Sequence, residues 1–173
     1  MSSSELPREW PATNSDELTL LTEFLTFLRI TAVNKVAGLD REAAAATPFP
    51  ASPVFSALGV IRHLTSVERY WLSMVGGGMD VPNRWESPDR DIDFRLSEQD
   101  TPESVVAEYQ AQWALSQQAL AGRQAGDPAS ADADKNVRWL LTHLVQETAR
   151  VTRIRIDTVN SAGPKKSNSG RVA

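Results

Sequence analysis

A chain of 173 residues with 22 acidic and 18 basic side chains carries a formal net charge of −4. Its length fits one domain with room for a hydrophobic core, and its charge sets up no basic field to draw in nucleic acid or an anionic membrane. The absence of cysteine removes disulfides, thiolate zinc sites, cysteine nucleophiles and iron–sulfur clusters together.

No stretch approaches the ~20 apolar residues of a spanning helix. The opening "MSSSELPREWPATNSDE" lacks the apolar segment of a signal peptide. The expectation is therefore a soluble protein of the reducing cytoplasm. Residues 1–14 read as a flexible tail that docks only through Trp10. At the other end "SAGPKKSNSGRVA" is small, polar and basic, and 163–173 read as a disordered tail.

The first helical pattern runs from about Asp16 to Val36. Leu18, Leu21, Leu25, Leu28 and Ala32 keep i, i+3, i+4 spacing, and Phe24 and Val36 widen the stripe. Asn14 with Glu17 three residues later makes a capping-box pattern, and Gly38 is a stop. The second pattern runs from about Pro53 to Val75, with Pro53 in its first turn. Its stripe is Val54, Leu58, Ile61, Leu64, Val67 or Glu68, Trp71 and Val75, and "GGG" at 76–78 ends it. Residues 76–100 form a long loop rich in acids and prolines, either functional or hiding an element. Trp85 and Phe94 are its expected anchors. The third helix opens with Thr101 as cap and Pro102 behind it. It carries Val105, Val106, Tyr109, Trp113 and Leu120, and ends near Gly122. After the linker "AGDPASADADK" the fourth runs from about Val137 to Val159 through Leu140, Leu141, Leu144, Thr148, Val151 and Thr152. Four amphipathic helices must bury their faces together, so residues 15–162 are expected to form an all-α four-helix bundle. "DIDFRL" at 91–96 alternates weakly but has no partner strand.

The chain has two histidines, His63 on the second helix and His143 on the fourth. Each sits at the edge of its apolar stripe, and Glu147 stands one turn beyond His143 on the same face. Edge positions of adjacent helices can converge at one end of a bundle. Two imidazoles and a carboxylate would then make a ligand set for zinc or a neighbouring divalent metal, with a fourth position open. The same spacing equally describes a solvated histidine–glutamate pair and a hydrogen-bonding histidine at the core boundary. No phosphate-binding loop or nucleophile elbow is present. Trp71, Trp113 and Trp139 fall at helical spacing and read as core or dimer-face residues.

"VIRHLTSVERYWL" at 60–72 and "VRWLLTHLVQETARV" at 137–151 resemble the DinB-like (YfiT-like) superfamily of four-helix bundles. More narrowly they are similar to its actinobacterial branch, related to mycothiol-dependent enzymes. The resemblance covers roughly residues 15–162 and includes "DFR" in the long loop. It implies an up-down-down-up bundle, frequently a homodimer. In members with metal it implies three ligands: a histidine late in the second-helix motif, matched by His63, and two residues four apart on the fourth helix. Glu147 matches the first of these, and Val151 stands where the second, normally a histidine, would be. Arg153 and Ile154 stand where the branch has glycine and histidine, Ile156 replaces an aspartate, and Ser66 replaces a frequent glutamate.

The resemblance thus implies a degenerate site with a divalent metal (zinc or nickel) weak or absent. His143 could substitute for Val151 only if the metal moved by a turn, ~5.4 Å. Two functions follow from it. One is a non-catalytic bundle that binds a small molecule or serves as a dimer scaffold. The other is a metal-dependent S-transferase or isomerase using a low-molecular-weight thiol such as mycothiol, with Arg150, Arg153 and Arg155 as candidate carboxylate binders. The expected partners are a second copy and a small ligand, with no nucleic acid and no membrane.

Overall fold

The first long helix, α1 (Glu17–Asn34), starts where Asp16 is still extended and its carboxylate accepts the Thr19 N–H. Asp16, not Asn14, is therefore the cap, because it stands at the last extended position and its oxygen reaches an otherwise free amide. Gly38 lies beyond the helix end at φ 77, a left-handed conformation that glycine adopts without strain. This computed structural model describes residues 5–47 and 53–161, with side chains described up to Thr152. The expected C-terminal tail at 163–173 lies outside the described residues.

A short helix, α2 (Arg41–Ala45), follows Asp40, whose side chain accepts from the Ala43 amide. No pattern in five residues announces it. Arg41 ties it to the carbonyls of Ser97 and Asp100. The next rod, α3 (Ala57–Glu68), begins four residues later than the expected Pro53. Ser56 is its cap, with Oγ accepting the Gly59 N–H at 3.0 Å. A serine oxygen can satisfy a free first-turn amide and a proline cannot.

Beyond Glu68 the same rod widens into a π-helix over Arg69–Gly76. There Gly77 donates to the Leu72 carbonyl, five residues back, at 2.9 Å. An added Cβ at Gly77 would stand 2.8 Å from the Ala119 Cβ, so this glycine lets the rod approach the next helix.

That helix, α4 (Pro102–Leu120), opens as expected: Thr101 and Ser104 bond reciprocally and Pro102 occupies the first turn. The last, α5 (Val137–Ser161), follows Asn136, whose side chain accepts from the Trp139 amide at 2.9 Å.

The described residues are all-helical, with a single bridge between Pro128 and Asn136 and no strand. α1 packs on α5, and α3 packs on both α4 and α5. Their faces fill two apolar clusters. One gathers Val33, Leu58, Ile61, Tyr109 and Val151; the other gathers Leu25, Leu72, Leu140, Leu141 and Leu144. Each such side chain fully withdrawn from water stabilises the fold by roughly 1.5–3 kcal/mol before entropy is counted. Among the described residues no helix is long and apolar enough to cross a membrane.

Docking of the N-terminal segment is broader than Trp10 alone. The Leu6 backbone pairs both ways with the Asn34 side chain, at 2.8 and 2.9 Å. Arg8 donates to Thr31 and lies over the Phe27 ring. Trp10 meets Phe24 and Phe27 edge-on, and the Ala12 amide reaches Glu23. α1 offers apolar rings on its outer side as well as its inner one, so the preceding chain has something to cover.

The 76–100 loop is bolted down in the same manner. Short 3₁₀ turns form at Arg84–Glu86 and Ile92–Phe94. Arg62 reaches Asp100 at 2.7 Å, Arg84 reaches Glu108 at 2.6 Å, and the Asn83 amide reaches the Ser66 carbonyl at 3.0 Å. The weak alternation of "DIDFRL" is thus a turn rather than a strand.

Candidate functional site

α3 and α5 lie side by side and bring His63 and Glu147 together, with Nε2 3.6 Å from Oε1. Both side chains remain partly open to solvent, at 20% and 15%. The opposite nitrogen of His63, Nδ1, lies 3.1 Å from Oδ2 of Asp93, a residue carried in by the second 3₁₀ turn of the loop. Phe94, its neighbour, stacks on the His63 ring at 5.2 Å between centroids and 23° between planes. Trp85 stands beside the same ring at 6.4 Å. The expected loop anchors are therefore site walls.

Asp93 is buried, and it is fully served. Ser66 donates to Oδ1 at 2.6 Å and the Trp85 indole donates to Oδ2 at 2.7 Å. Burial pushes its carboxyl upward, but the hydrogen bonds from His63, Ser66 and Trp85, with the imidazole charge, outweigh it and hold the group below the ordinary carboxylate range. Glu147 behaves alike: burial raises it, while Arg150, 2.6 Å away, and His63 together bring it lower. Ser66, expected only as a lost glutamate, is thus the support of a different carboxylate.

Val151 is 8% exposed and belongs to the apolar cluster with Leu58 and Ile61. His143 does not join the pair. It lies flat on Trp139, at 5.2 Å and 6°, with the edge of Trp71 against it at 5.0 Å. Among the described residues no three His, Asp or Glu side chains gather as a metal-binding group. His63 and Glu147 face each other, and Val151, at the position where the resemblance implies a further donor, is packed in the core. Arg150 pairs with Glu147 at 2.6 Å. The side chains of Arg153, Ile154, Arg155 and Ile156 lie outside the described residues.

A second polar cluster is enclosed between α1, α3 and α4. The Arg29 guanidinium forks onto the Glu68 carboxylate, with Nε 2.9 Å from Oε2. Ser116 donates to Glu68 at 2.6 Å. Beside it Arg69 donates to Gln112 and Gln112 to Ser73, at 3.0 and 2.9 Å. Burial, and then the Glu68 charge, push the Tyr109 hydroxyl far above its ordinary value. Arg29, Glu68, Tyr109, Gln112 and Ser116 are buried, and Arg69 reaches in from a partly exposed position.

Sequence reasoning missed Arg29, and it gave Asp93 no role. Arg29 had a signal, a cation one turn from Leu25 on the inward face of α1. Asp93 had its place in the "DFR" of the long loop, which the resemblance includes without giving it a role.

No curated protein matches the chain. A family model described as mycothiol-S-transferase, of the DinB-like superfamily, matches residues 20–151. That span runs from the first turn of α1 to Val151 and takes in the His63–Asp93–Glu147 site and the whole core, so the chain belongs to the mycothiol-S-transferase family.

Proposed function

We propose that the chain binds a low-molecular-weight thiol at the His63–Glu147 face without holding a divalent metal firmly there. One observation carries this reading: the position that completes the donor set is Val151, packed in the core, while His143 is committed to Trp71 and Trp139. The family supplies the ligand class. His63 and Glu147 supply a polar, partly open face beside the Trp85 indole. In this reading the chain is a cytoplasmic homodimer.

Elemental analysis of protein purified without added metal or chelator should find much less than one zinc or nickel per chain. Near-stoichiometric metal, lost in His63→Ala, would overturn the reading. Calorimetric titration with mycothiol or a simpler thiol should show binding that His63→Ala weakens.

A second reading, a divalent-metal-dependent thiol S-transferase or isomerase, is favoured by the survival of the oriented His63–Glu147 pair. Thiol-dependent turnover of an electrophile, stimulated by added metal, would select it over simple binding.

A further inference from the structure

We propose that the outer face of α1, with Trp10 standing out of it, is the surface through which two copies of this chain pair. The inference rests on the homodimer of the proposed reading and not on thiol binding.

The sequence of α1 asks for cover on more than one side. From Phe24 to Asn34 the one charged residue is Arg29, and it is engaged inside the bundle by Glu68. The bundle buries Leu25, Arg29, Ala32 and Val33. Phe24, Phe27, Leu28 and Ile30 stay partly exposed, although a helix that is apolar all round is ordinarily a buried one. Leu18, Thr22, Thr26 and Ile30 follow one another at four-residue spacing and so share one side. Thr22 donates its hydroxyl to the Leu18 carbonyl at 2.8 Å, and Thr26 donates to the Thr22 carbonyl at 2.9 Å. Those hydroxyls are satisfied within the helix, so what the two threonines have left for a neighbour is a methyl group. The segment before α1 runs beside this row and forms with it a groove of about 570 Å³, walled by Trp10 and Pro11.

Groove and knob occur on the same face. Trp10 is 71% exposed yet held in place. Its ring meets Phe24 and Phe27 edge-on, and the chain on either side is tied to α1 through the amides of Leu6 and Ala12. A two-fold contact needs a patch that is complementary to itself. Here the Trp10 of each copy can enter the groove of the other, and a tryptophan filling an apolar pocket is a common anchor of an interface. The size agrees. The 18 residues of α1 span ~27 Å, and a helix ~10–12 Å across with an extended segment beside it covers roughly 500 Å². Two such patches reach the ~1,000 Å² that a specific interface needs. Residues 162–173, "AGPKKSNSGRVA", suit the groove poorly, because Val172 is their one apolar side chain beyond alanine and proline.

Sedimentation velocity of the full chain over a micromolar concentration series measures the pairing directly. The wild type should be dimeric at the upper end of that series. Trp10→Ala removes the knob, and Thr26→Lys sets a charge on the groove floor. Each should weaken the dimer about ten-fold or more while far-ultraviolet dichroism keeps the wild-type helical signal. Trp139→Ser, on the exposed aromatic side of α5, should leave the dimer constant unchanged. A wild type that stays monomeric throughout overturns both the homodimer and this surface. A wild-type dimer that persists in folded Trp10→Ala and Thr26→Lys, or that Trp139→Ser dissolves, overturns the surface and leaves the homodimer standing. If Thr26→Lys does not fold, Trp10→Ala decides, because its side chain lies outside the core.

Discussion

Replacing Arg29 with alanine strips the guanidinium from a carboxylate that has almost no other support. Glu68 and Arg29 have side chains 2% and 4% exposed, and what then remains on Glu68 is the Ser116 hydroxyl. Breaking a buried pair by removing one partner costs about 3–5 kcal/mol, because the remaining charge is desolvated and unmatched. The lost stacking of Arg29 over Trp113, 5.6 Å from the ring centroid, adds to it. Against a total stability of about 5–15 kcal/mol that is a large share. At about 2–4 °C per kcal/mol for a chain of this size, the melting temperature should drop by roughly 6–20 °C. Urea titration followed by far-ultraviolet dichroism measures the free energy directly. The double variant Arg29→Met, Glu68→Leu removes both charges and keeps the volume, so it should recover most of the loss. The reasoning is refuted if Arg29→Ala costs less than about 1 kcal/mol, the range of an exposed pair. It is equally refuted if the double variant is as unstable as the single one.

Three further outcomes are expected. Val151→His adds a donor one turn after Glu147 and should raise zinc or nickel affinity measurably by calorimetric titration; no gain would mean that α5 does not present position 151 toward His63. Asp93 and Glu147 are both held below their ordinary values, so their contributions are fully present above the unfolded carboxylate range near pH 4 and are lost as pH falls through the lower folded values. Urea midpoints should fall on acidification below about pH 4 and fall less in Asp93→Asn, whereas parallel profiles for the two proteins would contradict the assignment. Gly77→Ala forces a methyl against Ala119 at 2.8 Å and should cost about 1–3 kcal/mol, read by the same denaturation; a neutral effect would show that α4 yields there.

The four rods were legible because their apolar residues recur at the helical period, and burial then selects those same side chains. Leu25, Leu58, Ile61, Leu64, Leu140 and Leu144 were placed on inward stripes and are all buried. Boundaries were less legible where two residues compete for the cap. Asn14 and Asp16 both offer an oxygen, and only the backbone at 16 aims it at a free amide. The π-helix was invisible because a single widened segment leaves no repeat long enough to detect. Half of the site was legible: His63 and Glu147 follow from their motif segments, and Val151 from the spacing after Glu147. Asp93 was visible only as part of "DFR"; its pairing was not, because its partner lies 30 positions away and loops carry no period to betray which side chain turns inward. His143 misled for a related reason. Spacing places it on the correct helix and near the correct face, but Trp139, one turn before it at the same spacing, and Trp71 from the neighbouring rod pack against its ring.

The five-residue closures over Arg69–Gly76 divide one rod into two angular frames. His63 and Ser66 are set upstream of that segment, while Leu72, Ser73 and Val75 lie within it. A helical residue advances about 100° around its axis, and a widened turn absorbs one extra residue without breaking the rod. Losing a single residue from this segment would close it to an ordinary α-helix and leave the faces on either side as they stand. The bundle thus has a joint at which one residue can be gained or lost without re-aiming either end.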